Sequence, residues 1–303
     1  MCWLFSVCGV GLMRRFLVAA CAAVVVTGGL AACGSSANNG GGAPNANGSA
    51  SAASCTKAKL ASQLHTAGKL TVATDNPVYP PWFIHNTPTN GKGYESAVAY
   101  AIAKQLGFSN SDVTWVKEPF DSSFAPGSKA WDFDINEVSV TQQRAQAVTF
   151  SNSYYPVQQA IVARKGTPIV TKHSPAQLKN YLYGDQIGST GLAFITTKIQ
   201  PTKQPKVFDT LAQAAAALQA GRIDALITDT PTAQFMASSQ LKHAVLVAQF
   251  PTVGEHYGLV FEKGNALVTC VNKAIGQLQS DGTLSSLQKK YLGIYLNFPT
   301  IQP

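Results

Sequence analysis

Between Trp131 and Tyr155 the chain sets two hydroxyls and a guanidinium close together, Ser139, Thr141 and Arg144, within the run S-V-T-Q-Q-R. The residues before them, Phe133–Val140, read as a strand that runs into a short helix carrying Arg144. A hydroxyl and free backbone N–H groups at a helix start, with a guanidinium one turn later, suit a carboxylate. Arg binds carboxylates through two parallel hydrogen bonds, and the helix start adds positive potential. A second candidate group is Asp229, at the end of R-I-D-A-L-I-T-D (222–229). That run reads as a strand, and ligands bind at the carboxyl ends of strands in open α/β sheets. Asp229 suits an ammonium, and because it precedes Thr230-Pro231 a role as helix cap or turn residue is the alternative. A free amino acid carries a carboxylate and an ammonium on one carbon. A site that excludes water must satisfy both.

Alternating strand and helix patterns surround these groups, which argues for α/β architecture. Lys69–Thr74 reads as a strand ending at Asp75, and N-P-V-Y-P-P-W-F (76–83) as a Pro-rich turn that no helix interior tolerates. Val98, Ala101, Ile102 and Leu106 mark a helix face that stops at Gly107. Val113–Val116 is a further strand, and Gln159–Ala163 reads as a strand crossing between two halves of the body. Asp209 or Thr210 caps a helix through L-A-Q-A-A-A-A-L-Q-A. Ala244–Ala248 and Tyr257–Phe261 follow as strands, then two helical stretches over Asn265–Leu292, broken at Asp281-Gly282.

The ends of the chain point to export. Arg14-Arg15, the apolar run Phe16–Val26 and L-A-A-C ending at Cys33 form a secretory leader, 1–32, with a lipobox-like close that makes Cys33 the expected lipidation site. Met13 is the more natural start. Residues 34–54 hold only Gly, Ala, Ser, Asn and Pro, up to the Cys at 55, which reads as a flexible tether. The chain has 303 residues and a formal charge of +8. Leaving out Arg14 and Arg15, 21 of the 23 basic residues remain against 15 acidic ones, but they are scattered and form no stripe suited to nucleic acid. Two cysteines remain in the body. An exported protein with Cys55 and Cys270 favours a disulfide, while Cys270 also fits a helix face as a core thiol, and both readings stand. No His–Cys cluster has zinc spacing, and no G-x-S-x-G occurs, so neither metal, cofactor nor catalytic group is expected.

The run W-D-F-D-I-N-E-V-S-V-T-Q-Q-R-A-Q-A-V-T-F-S-N-S-Y-Y resembles the signature of the bacterial extracellular solute-binding proteins of family 3, amino-acid receptors of ABC importers. Asp132, Ser139, Thr141, Arg144, Phe150, Ser151 and Tyr154 match their pattern, roughly D-x-x-x-x-G-x-S-x-T-x-x-R followed by F-S-x-P-Y. Glu137 stands where the family often has Gly or Ser, and Ser153 where it has Pro. Other landmarks come in family order: Y-P-P-W, G-Y-E, G-S-T at 188–190, A-G-R-I-D-A-L-I-T-D and D-G-T at 281–283. The resemblance covers about Lys69–Leu292.

The resemblance implies a two-lobed, type II periplasmic-binding-protein-like α/β fold, with two hinge strands and a ligand cleft between the lobes. The expected lobes are 55–157 plus 254–303, and 158–253. By this resemblance Arg144, Ser139 and Thr190 bind the ligand carboxylate, while Asp229 and the backbone carbonyl of Glu137 bind the ammonium. Tyr79, Trp82 and Phe120 line the pocket, though each also fits an ordinary core aromatic. Glu137 and Asp75, if they face the pocket, favour a cationic side chain; Glu137 pointing away to pair with a Lys is the other reading. The implied partners are an amino acid, a permease and an ATPase, for a monomer held to the membrane through Cys33. Two other functions fit the same fold: a dehydratase-type enzyme, with Glu137 the one acid to nominate, and a ligand-sensing lipoprotein without transport.

Overall fold

The computed structural model describes residues 55–251, 254–293, 298 and 300–301; the expected leader, Cys33 and the tether lie outside the described residues. Ten strands run through the described residues: β1 (Leu70–Thr74), β2 (Val113–Lys117), β3 (Phe133–Asp134), β4 (Thr149–Pro156), β5 (Gln159–Arg164), β6 (Gly184–Gln186), β7 (Lys206–Phe208), β8 (Ala225–Asp229), β9 (Ala244–Gln249) and β10 (His256–Phe261). They form a five-stranded sheet ordered β2-β1-β3-β10-β4, a three-stranded sheet ordered β8-β5-β9, and the pair β6-β7. The first sheet is mixed, with β1 parallel to β2 and β3 and β10 antiparallel to β3 and β4. Separate buried clusters pack on the five-stranded and the three-stranded sheet, so the body is two-lobed.

Helices cover the sheets because their apolar residues recur every three or four positions. In Leu267–Ser280 the stripe Leu267, Cys270, Val271, Ala274, Ile275 and Leu278 is buried. It packs in one cluster with Val98 and Ile102 of the helix Tyr94–Gln105 and with Leu284 of the helix Thr283–Leu292. Cys270 is disulfide-bonded to Cys55, which pins the start of the described chain to this stripe. In the second lobe Thr210, not Asp209, caps the helix Leu211–Gln219 by accepting from Gln213 N at 3.2 Å. No helix among the described residues is long and apolar enough to cross a membrane.

Three expectations need correction. β5 does not cross between the lobes; it is the central strand of the second sheet, paired on both sides. The chain crosses at Val157–Gln158, where Val157 N donates to Glu255 O at 3.0 Å, tying this crossing to the return crossing. The strand expected over 133–140 keeps its ladder only at Phe133–Asp134, because Glu137 takes a left-handed backbone (φ 54°) that no extended strand can contain. Glu137 N is then held by Glu95 Oε1 at 2.7 Å, and Val140 N rejoins β10 at His256 O (2.9 Å). Finally, Phe298 and Ile301 do not pack with the first lobe, to which 254–303 was expected to belong. Ile301 is buried in the second-lobe core and its N–H donates to Gln249 O at 2.8 Å. Phe298 packs on the same lobe and accepts from Gln249 Nε2 at 3.0 Å. The reason is the free edge of β9, where Thr300 bridges Gln249 and Ile301 N satisfies Gln249 O.

Candidate functional site

The carboxyl ends of β1 and β8 and the bend after β3 converge on one cavity of about 200 Å³. Arg144 forms its cationic wall. Thr141 Oγ1 accepts from Arg144 N at 3.1 Å and starts the one-turn helix Arg144–Ala147. The guanidinium is held by two backbone carbonyls, Ser139 O at 2.6 Å and Gly188 O at 2.8 Å, the second from the other lobe. Its Cζ lies over the rings of Phe124 (4.1 Å to the centre) and Phe120 (5.4 Å). Burial lowers it to about 10, opposed by the carboxylate of Glu255, so it stays charged near neutrality.

Beside it, Ser139 Oγ and Thr190 Oγ1 stand 3.3 Å apart across the lobes. Thr190 opens the helix Thr190–Phe194, whose cap is Ser189, accepting from Leu192 N at 2.9 Å. The close seating of this helix needs Gly191, where an added Cβ would lie 2.2 Å from Ile227 O and 2.5 Å from Asp185 Oδ2. Gln159 at the start of β5 donates from Nε2 to Thr190 Oγ1 at 3.2 Å.

The opposite wall is acidic. Asp229 combines the two roles its sequence position left open. It caps the helix Thr230–Phe235, accepting from Thr232 N at 2.9 Å, and it lines the cavity. Glu137 faces inward rather than toward a Lys. Its Oε2 accepts from Thr232 Oγ1 at 3.0 Å and its carboxyl lies against Asp229. Burial first, and then the charge of Asp229, push Glu137 well above the usual carboxylate range; burial raises Asp229 too, against the hydrogen bonds it accepts. The hydrogen bond between the two carboxyls raises Glu137 and lowers Asp229, so Glu137 is the more strongly raised of the pair. Asp75 lines the cavity and is raised by burial, and Asp185 beneath the Thr190 helix is pushed by burial up to about 8. Among the described residues lining the cavity, Arg144 is the one base.

Tyr79, Phe120, Glu137, Ser139, Arg144, Thr190 and Asp229 all line this cavity. Trp82, expected with them, does not. It is fully buried, edge-on to Tyr94, Tyr155 and Tyr257, and its indole N–H donates to Thr232 Oγ1 at 2.7 Å. It thus acts through Thr232 on the placement of Glu137, because an indole in a Pro-rich turn packs inward once its N–H finds a buried partner. Sequence reasoning missed Gln159, Asp185, Tyr257 and Glu255. Gln159 and Tyr257 sit at the starts of strands that leave a lobe crossing, which is a usable signal. Glu255 has no sequence pattern of its own.

Comparison with known proteins finds amino-acid-binding relatives of the same fold. The lysine/arginine/ornithine-binding periplasmic protein of Escherichia coli K12 is 29% identical over 234 residues, covering 73% of this chain and 86% of its own. The structure of an ancestral arginine-binding protein bound to glutamine superposes with a TM-score of 0.65 at 31% identity, over 76% of this chain and all of the other. An ancestral amino-acid-binding protein that is a precursor of cyclohexadienyl dehydratase superposes at 0.61 with 27% identity, over 74% of this chain and 95% of its own. Residues 70–294 match the bacterial extracellular solute-binding proteins, family 3, and with the two-lobed fold and its interlobe cavity the chain belongs to that family.

Proposed function

We propose that this protein is the substrate-binding component of an ABC importer, that it captures a cationic amino acid between its lobes, and that it is a binding protein rather than an enzyme. One observation carries the reading: the single base Arg144 and the acid Asp229, from different lobes, line the same cavity together with Glu137, Asp75 and Asp185. One guanidinium answers one carboxylate. Burial raises these acids in the free protein, and a positively charged side chain beside the α-ammonium would favour their ionised forms, which a neutral or acidic amino acid would not. Contacts offered by both lobes favour closure on the ligand. That relatives bind arginine, lysine or ornithine supports the same ligand class.

On this reading the exported chain is anchored through lipidated Cys33, works as a monomer, and delivers its ligand to a permease and ATPase. The test is thermal unfolding of the protein against the twenty amino acids, ornithine and citrulline. A ligand at a hundred times its dissociation constant adds about 2.7 kcal/mol. A shift with arginine, lysine, ornithine or histidine is expected; shifts with neutral or acidic amino acids alone refute the cationic assignment. Cys33→Ser should move the protein out of the membrane fraction, and its retention there would refute the anchor.

A further inference from the structure

The donors that face Arg144 already hold a carboxylate of the protein itself. Ser139 Oγ donates to Glu255 Oε1 at 2.7 Å, and Gln159 Nε2 lies 3.0 Å from Oε1 and 3.1 Å from Oε2. Thr190 Oγ1 sits between the same two donors, 3.3 Å from Ser139 Oγ and 3.2 Å from Gln159 Nε2. The Arg144 guanidinium feels the Glu255 charge as its largest electrostatic support.

We propose that Glu255 is a built-in occupant of the anion subsite: an amino acid seats its carboxylate between Ser139, Thr190 and Arg144 only by displacing Glu255, which thereby sets how the pocket weighs carboxylate-bearing ligands against carboxylate-free ones. The inference rests on the amino-acid reading above. Ser139 has one hydroxyl proton, and it is committed to Glu255. Two carboxylates sharing these donors would repel each other at close range. Glu255 is half-buried, and its backbone carbonyl is fixed by Val157 N at 3.0 Å in the lobe crossing. The side chain can therefore swing toward solvent while the crossing stays in place. A site held by its own acid for most of the time binds more weakly by the fraction of time it is free. Charge-assisted hydrogen bonds of this number make that penalty roughly tenfold to a hundredfold.

The experiment is isothermal titration of the full chain in detergent, wild type against Glu255→Ala and Glu255→Gln, with thermal melting to confirm folding. The probes are matched pairs: L-arginine and agmatine, L-lysine and cadaverine, L-histidine and histamine. In each pair the second lacks the carboxylate. Glu255→Ala should tighten an amino acid at least about tenfold and move its amine partner less than about threefold, with Glu255→Gln between. Equal changes for both members, or weaker binding of both, would show Glu255 acting on the ligand's cationic groups and would overturn the proposal. Wild-type binding that neither substitution alters overturns this proposal alone. Absence of binding to all three proteins overturns the amino-acid reading and this proposal with it.

Discussion

Arg144→Ala is the perturbation with the largest expected effect on binding. A guanidinium has five N–H donors. Two bonds, to Ser139 O and Gly188 O, hold it in place, which leaves donors for a carboxylate in the cavity. Only 7% of the residue is exposed, so a carboxylate paired with it is largely desolvated. Removing one partner of such a pair costs roughly 2–5 kcal/mol, a rise in Kd of about 30- to several-thousandfold. The substitution also deletes a tie between lobes and the stacking on Phe124. Water entering the cavity meets part of the lost hydrogen bonding, so we expect a stability loss of about 2 kcal/mol, a fall in Tm of roughly 4–8 °C. Calorimetric titration well below the variant's Tm separates the two effects. Arg144→Lys should recover the charge but not the fork, and bind between wild type and Ala. If Arg144→Ala stays folded and loses less than tenfold in affinity, Arg144 does not hold the ligand carboxylate, and the assignment of this wall of the cavity is refuted.

Three other outcomes follow from the buried charges and the disulfide. Binding a cation favours ionised Glu137 and Asp229, both raised by burial in the free protein, so affinity for a cationic ligand should fall as pH falls and binding should release protons. Titration in buffers of different ionisation enthalpy reads that release, and none at all would mean the pair is already ionised. Burial raises Glu95 and Asp185 to about 8. The folded state then keeps protons that the unfolded chain sheds above its ordinary carboxylate pKa. Each group's contribution is therefore complete below that value and lost as pH rises toward 8, by roughly 1 kcal/mol per pH unit. Glu95→Gln should flatten the decline of Tm between pH 5.5 and 8; an unchanged slope would place the raised group elsewhere. The Cys55–Cys270 disulfide closes a loop across 215 positions. Replacing both cysteines with Ser should lower unfolding stability by up to about 5 kcal/mol, measured by denaturant titration, with ligand affinity unchanged.

Much of the site was legible before the fold because its chemistry is local. Ser139, Thr141 and Arg144 lie within six consecutive positions, and Asp229 ends an apolar run, so local pattern alone singled out three residues that line the cavity, Ser139, Arg144 and Asp229. Glu137 was visible as a departure, but not its direction. That depended on Thr232 and Asp229 in another lobe, more than 90 positions away in the chain. Trp82 was misplaced for the same reason. An aromatic in a Pro-rich turn serves either a ligand or a core, and the choice was made by Thr232 Oγ1 and three tyrosines that no local pattern connects to it.

What the sequence determined by itself, then, is the set of elements with apolar periodicity, the residues at their ends and the order of the family landmarks, since each depends on neighbours within one turn or one strand. Only the tertiary structure decided the short β3 with left-handed Glu137, the tail at Phe298 and Ile301 returning to β9, and the meeting of Ser139, Gln159, Thr190 and Glu255. Those depend on satisfying buried hydrogen-bond groups between segments far apart in the chain. A donor and acceptor separated by 116 positions, as Ser139 and Glu255 are, leave no periodic trace in the chain that joins them.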